Sequence, residues 1–458
     1  MRRTRTASCL RVGSSASPKA GRCPRPIAPA ETARATTSGS DEDGAGACDT
    51  SGGERGVNGE SPKVGLVLSG GGARGAYEVG VLRYVFERIG GRFDVVAGTS
   101  VGAINGAYVA ATAERPRATG RMLARVWQEL RIDQVYRLGW RQLRSLPQVL
   151  FGKEMPKVTH GARLGGLVDP THLESIVRNR IPWRGITENL HRGHLTGVSV
   201  AATELATGFT TLFVQTKSGR PPRGFATEAG QVVVPTPITA AHCLASAAIP
   251  VLFPAVRVGD QFFVDGSLRQ NTPVRPATRL GADRVLVISL RHAEERRLSV
   301  QRAREEAREI YPSAMFMLGK MLNALMLDKL EADLARIERM NELLAAGRTI
   351  CGPDFGERLS AAMEHKTEAY RHIEVVLVRP SEDFGRIAYD IVRRTNLSQY
   401  DGVVARWIRR SVAAGEGADE SDLASYLLFD PEYVSALIDL GYRDAAAQHD
   451  RIAALFAR

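Results

Sequence analysis

Along this chain, short apolar runs bounded by glycine alternate with stretches in which apolar residues return every three or four positions. Val64–Leu68 (VGLVL) and residues 95–97 (VVA) are continuous apolar runs, the pattern of strands buried on both faces. Between them, residues 76–89 place Val79, Leu82, Val85, Phe86 and Ile89 at helical spacing. VGAINGAYVAA, rich in small residues, reads as a second helix after residues 95–97, and FFV at 262–264 and RVLVISLRH read as further strands. The opening order is therefore strand, glycine-rich turn, helix, strand, tight turn, helix.

The texture changes after Leu290. Residues 313–346 read as one long helix carrying Met315, Met317, Met321, Met326 and Met340, with Leu318, Leu322 and Leu325 at helical spacing. Residues 373–378 (IEVVLV) form a strand that extends the main sheet, and SYLLFDPEYVSALIDLGYRDA reads as two amphipathic helices broken at Asp430 and Pro431. The long helix is expected to pack on the protein's own core. A lid, a membrane-facing helix or a subunit contact is the alternative for a surface rich in methionine.

Candidate chemistry lies in the turns. Gly70, Gly71, Gly72, Ala73, Arg74 and Gly75 satisfy G-x-G-x-x-G between a strand and a helix, where backbone N–H groups and the helix N-terminus favour an anion. The anion can be a phosphate or a transition-state oxyanion. A dinucleotide site also needs an acid after the second strand, and Asp94 stands before it. Gly98, Thr99, Ser100, Val101 and Gly102 form G-x-S-x-G between strand and helix. That sharp turn needs flanking residues almost without side chains if the serine hydroxyl is to project into a cleft. The alternative is an ordinary turn with serine capping a helix. Asp265 and Gly266 close the run at 262–264, placing a carboxylate at a strand end, although Asp-Gly is also a strong turn signal.

Taken in order, Gly70 to Gly75, the elbow at Gly98 to Gly102, and Asp265-Gly266-Ser267 resemble the patatin-like phospholipase family, as do SAAIPVLFPAV and NTPV on either side of Asp265. Ser267 stands where that family usually carries glycine or alanine. The resemblance implies a three-layer α/β/α sandwich with a mainly parallel central sheet, followed here by a helical C-terminal extension. It implies a lipid acyl hydrolase of phospholipase A or lysophospholipase type, working through an acyl-enzyme on Ser100. Asp265 is then the general base, Gly70, Gly71, Gly72 and Arg74 the oxyanion hole, Gly98 and Gly102 the elbow glycines, and Gly266 a supporting residue. No cofactor and no metal are implied. Two alternatives stay open: an α/β-hydrolase triad of Ser100, Asp265 and His292, and a lipid-binding or scaffold protein with a vestigial site.

Composition narrows the setting. With 458 residues and 44% hydrophobic side chains the chain can bury a large core. Residues 1–60 are rich in Gly, Ser, Thr, Ala, Arg and Pro and read as a disordered tail without the apolar segment of a signal peptide. Residues 61–292 read as the catalytic core and 293–458 as the mostly helical C-terminal region. Five cysteines without a C-x-x-C pair argue against structural zinc or a disulfide framework and for a reducing, cytoplasmic setting. The tail holds nine basic and seven acidic residues, so most of the net charge of +11 lies in the body and favours peripheral contact with anionic lipid. No nucleic-acid module is recognisable. Residues 235–256 lack Asp, Glu, Lys and Arg, but their prolines and His242 favour a buried helix and turn over a membrane span. Oligomeric state is not legible.

Overall fold

The computed structural model describes residues 61–136, 168–222, 225, 229–250, 252–292, 330–363, 370–414 and 418–457. The expected tail at 1–60, the first half of the long helix with Met315, Met317, Met321 and Met326, and Val251 of SAAIPVLFPAV lie outside them. The opening segments form β1 (Val64–Leu68), a 3-10 turn at Gly72–Gly75, α1 (Ala76–Tyr84) closing in a π turn, β2 (Val95–Thr99) and α2 (Val101–Ala111). Next come α3 (Pro116–Gln128), α4 (Ile132–Val135), α5 (Thr171–Arg180) and α6 (Arg184–Arg192). They are followed by β3 (Gly197–Glu204), β4 (Thr210–Thr216), β5 (Gln231–Pro235) and α7 (Ala240–Ser246). Then come β6 (Val256–Val258), β7 (Gln261–Asp265), α8 (Val274–Arg279) and β8 (Arg284–Ile288). The C-terminal region contains α9 (Leu330–Cys351), α10 (Phe355–Ala362), β9 (Glu374–Val378), α11 (Phe384–Thr395), α12 (Val403–Ala414), α13 (Ala418–Leu427), α14 (Pro431–Ala447) and α15 (His449–Phe456).

The strands make one sheet in the order β5-β4-β3-β2-β1-β8-β9, with β7 and β6 branching from β3. The central run β3-β2-β1-β8-β9 is parallel throughout, whereas β3 meets β4 and β7 antiparallel. Continuous apolar runs suit such strands because helices cover both faces. Leu66, Leu68, Val96, Val198 and Ile288 join one core with α1, α2, α3 and α14. Val67, Val95, Ala97, Val285 and Val287 join the other with α8 and the first turns of α9. The molecule is thus the expected α/β/α sandwich with a helical C-terminal region.

The charge-free stretch 235–256 contains α7, whose N-terminus carries a capping box: the Thr239 N–H donates to His242 Nδ1 at 3.0 Å. Burial pushes the His242 pKa down to about 4, so the ring is neutral and free to accept. Among the described residues no helix is long and apolar enough to cross a membrane.

The C-terminal helices are built into the sandwich. α14 lies along α1, and the buried Tyr77 hydroxyl donates to Asp444 Oδ2 at 2.9 Å. Asp444 also accepts from the Ser381 N–H and hydroxyl at 2.9 and 2.6 Å, tying α1, α14 and the chain after β9 together. Tyr77→Phe is expected to lower stability by about 1–3 kcal/mol by removing one donor from a buried carboxylate, measured by urea unfolding.

Candidate active site

Ser100 sits at the turn from β2 into α2 with φ 56° and ψ −126°, a backbone conformation disfavoured for a residue with a side chain. The glycines around it are sterically required. A Cβ at Gly98 would lie 2.3 Å from the Gly102 carbonyl oxygen, and one at Gly102 would lie 2.6 Å from the carbonyls of Leu68 and Ser69. The end of β1 therefore passes directly under the first turn of α2.

Strand order brings a carboxylate to this serine. Along one edge of β3, β2 pairs up to Thr99 opposite Ala201, and β7 arrives from the other direction with Asp265 opposite Ala202. The two strands abut end to end, so the residue after β2 and the last residue of β7 meet. Ser100 Oγ donates to Asp265 Oδ2 at 2.7 Å, and the Ser267 N–H donates to Oδ1 at 2.8 Å. Asp265 is 0% exposed; its N–H donates to the Ala248 carbonyl at 2.9 Å, and its carbonyl accepts from the Thr203 hydroxyl at 3.0 Å. Burial raises its pKa to about 6 against the opposing effect of the Ser100 and Ser267 hydrogen bonds.

The glycine-rich loop only partly matches expectation. The Gly70 N–H donates to the Asn271 carbonyl at 3.2 Å, which takes it out of the set of ready anion donors. Among the described residues, the N–H groups of Gly71 and Gly72 have no protein acceptor, and Gly72 lines the same pocket as Ser100. Arg74, expected beside the oxyanion, turns the opposite way. Its Nε donates to Ser425 Oγ at 2.7 Å, and its guanidinium lies 3.7 Å from the centre of the Tyr426 ring. Gly72 has φ 58°, and a Cβ there would lie 2.4 Å from the Tyr426 carbonyl oxygen, so α13 presses on the loop from outside. Gly266 stays beside Asp265 in a short 3-10 turn.

His292 does not join the pair. Its Nε2 lies 3.2 Å from the Ser381 carbonyl, and the direct Ser100–Asp265 bond leaves no place for an imidazole between them, contrary to a Ser100-Asp265-His292 triad. Among the described residues no group of three or more His, Cys, Asp or Glu converges as a metal site.

Three contributors escaped the sequence reading. Ser246 Oγ accepts from the Ser100 N–H at 2.7 Å and donates to the Ala201 carbonyl at 2.5 Å, holding the strained turn to β3. It is the first residue of SAAIPVLFPAV, which was its available signal. Glu78 and Asn105 were legible only as lone polar residues in apolar helices. Asn105 Nδ2 donates to Glu78 Oε2 at 2.8 Å and to the Gly75 carbonyl at 3.1 Å, while Trp127 Nε1 donates to Asn105 Oδ1 at 2.9 Å. Complete burial pushes the Glu78 pKa well up, against the hydrogen bonds from Asn105 and the Ser69 backbone, and the pair braces the loop from behind.

Ser100 opens into a pocket of about 800 Å³, counting its open mouth. Its walls are almost wholly apolar, including Ile104, Leu123, Trp127, Tyr136, Ile176 and Phe253. Such a cavity accepts an alkyl chain and offers almost nothing to a polar one.

The fold and site define an α/β protein with a hydroxyl–carboxylate pair at the C-terminal edge of its sheet, beside a glycine-rich anion loop and an apolar pocket. Residues 66–278 match the family model described as patatin-like phospholipase. The chain is 50% identical over 58 residues to lysophospholipase nte1 of Aspergillus terreus, covering 13% of this chain and 4% of that protein. It is 46% identical over 66 residues to mouse patatin-like phospholipase domain-containing protein 7, covering 14% of this chain and 5% of that protein. Superposition on human GIVD cytosolic phospholipase A2 gives a TM-score of 0.31 at 14% identity, over 56% of this chain and 50% of that one.

Ser246→Ala is expected to leave the Ser100 N–H without an acceptor, costing about 1–3 kcal/mol of stability. It should also slow covalent labelling of Ser100 by a fluorophosphonate at least tenfold, read by mass spectrometry alongside thermal unfolding.

Proposed function

We propose that this protein is a serine-dependent lipid acyl hydrolase acting on phospholipids or lysophospholipids. The observation that carries this reading is the 2.7 Å bond from Ser100 Oγ to Asp265, formed at a strained turn that opens into an apolar pocket. The family match and the names of the relatives supply the substrate class.

In this reading the fatty acyl chain lies in the pocket with its ester carbonyl over Ser100. Asp265 takes the hydroxyl proton as Oγ attacks the carbonyl carbon, and the N–H groups of Gly71 and Gly72 receive the developing oxyanion. Collapse of the tetrahedral intermediate breaks the ester C–O bond, and protonated Asp265 returns its proton to the departing alcohol. Water then attacks the acyl-enzyme with Asp265 again as base, releasing the fatty acid and restoring Ser100. Arg74 acts indirectly, by fixing the loop against α13. Contact with lipid is peripheral in this reading, through a surface that the basic body charge favours.

Hydrolysis of p-nitrophenyl esters and of a labelled lysophospholipid tests the proposal. Ser100→Ala and Asp265→Asn are expected to lower kcat/KM by at least a thousandfold while remaining folded. Retained activity in either variant sinks the dyad. The rate of the wild type should rise with pH through about 6, as the Asp265 carboxyl ionises. The same shift has a stability consequence of known sign. Because the folded pKa lies above the ordinary value of 3.8, the native state holds the proton between the two pKa values and the unfolded state does not. Stability therefore falls as pH rises through that window, and Asp265→Asn is expected to be more stable than wild type at pH 8, by chemical denaturation.

A further inference from the structure

The apolar pocket is not made by the patatin-like segment alone. The family match ends at residue 278, yet Phe429, at the junction of α13 and α14, forms part of its wall. The ring stacks on Trp127 with centroids 5.9 Å apart and planes at 19°, and meets the edge of Tyr136 at 5.8 Å. Tyr136 in turn lies 6.0 Å from Phe253. Leu427, Leu428 and Phe429 all belong to the main core, and of the three Phe429 lines the pocket.

The position of Phe429 along the pocket follows from α2. Ser100 and Tyr108 both line the cavity, and the eight-residue separation corresponds to about 12 Å of helix. Trp127, on which Phe429 stacks, bonds Asn105 through Nε1 and reaches Gly75, beside Val101, with the far edge of its indole, so the stacked pair flanks the first turns of α2. A chain extending from Ser100 toward Tyr108 meets this ring on the way.

The backbone that presents the ring is held independently of it. Asp430 is 2% exposed, caps α14 by accepting from the N–H groups of Glu432 and Tyr433 at 2.9 and 3.4 Å, and accepts from the Tyr400 hydroxyl at 2.9 Å and Gln399 Nε2 at 3.1 Å. None of these bonds involves the Phe429 ring.

We propose that Phe429 is a specificity-determining residue that helps set how long an acyl chain the site accepts, so that the C-terminal region takes part in a choice of chain length otherwise made by walls from the patatin-like segment. This rests on the acyl hydrolase reading. It gives the C-terminal helices a role at the site in addition to packing.

The test compares kcat/KM for p-nitrophenyl butyrate, octanoate and palmitate in wild type, Phe429→Ala, Phe429→Leu and Phe429→Trp, with thermal unfolding of each. The palmitate-to-butyrate ratio should rise at least fivefold in Phe429→Ala, rise less in Phe429→Leu, and fall in Phe429→Trp. Ratios within twofold of wild type in all folded variants overturn the proposal. A second readout separates this from failure of the hydrolase reading: displacement of a fluorescent fatty acid by octanoate or palmitate, measured in Ser100→Ala with and without the Phe429 changes. A shift in chain-length preference of binding, with an enzyme inert on all esters, removes the hydrolase and keeps the pocket assignment. Binding that ignores residue 429 removes the assignment.

Discussion

The end-to-end meeting of β2 and β7 along one edge of β3 is the constraint on which the site depends. A parallel strand that stops at Thr99 leaves the next position on that edge of β3 unpaired, and β7 fills it with Asp265 from the opposite direction. Backbone hydrogen bonding thus fixes the separation of the two reacting groups before any side chain is considered. The 2.7 Å bond is then the consequence of sheet register, and it is held because β2 and the 263–265 end of β7 are buried. The strained φ of Ser100 belongs to the same constraint: the chain must leave the sheet abruptly so that β7 can take its place, and Ser246 fastens the turn while it does so.

The glycine-rich loop is held from three sides. Asn271 ties Gly70 to the segment after Asp265, Glu78 and Asn105 brace the loop from within, and Ser425 and Tyr426 clamp it from the C-terminal region. A loop intended to present N–H groups to a transient charge gains from being fixed in advance, because no reorganisation is then needed when the charge appears. Arg74 illustrates the trade. In the proposed mechanism its charge would help an oxyanion directly, but over Tyr426 and bonded to Ser425 it holds the loop instead.

What was legible in the sequence was local and steric. Gly98 is required by a contact with Gly102 four residues on, and Gly102 by the end of β1, the strand that opens the same motif order, so the pattern of glycines records both contacts. The apolar runs announced strands buried on both faces, and the prolines with His242 announced that 235–256 is a capped helix and turn. The direction of Arg74 was illegible because its partners lie 351 and 352 residues further on, Ser425 and Tyr426, in helices with no motif of their own. The loss of Gly70 as a donor had the same origin, since Asn271 reaches it only once β7 has docked. Phe429 was visible merely as one apolar residue before an Asp-Pro helix break.

The chemistry of the site follows from placing a carboxylate where water cannot reach it. A surface aspartate, ionised far below neutrality, is a poor acceptor for a hydroxyl proton, and enzymes usually interpose a histidine for that reason. Here full burial raises the Asp265 pKa to about 6, within range of a histidine's own value, so that one residue can serve in both capacities. Burial alone would push it higher. The donors from Ser100 and Ser267 pull it back, and in the proposed mechanism the first of these carries the proton to be transferred. In that mechanism the base is tuned by the hydroxyl it deprotonates. The apolar pocket beside it completes the arrangement, because an acyl chain that fills the cavity also keeps bulk water from stabilising the ionised carboxylate.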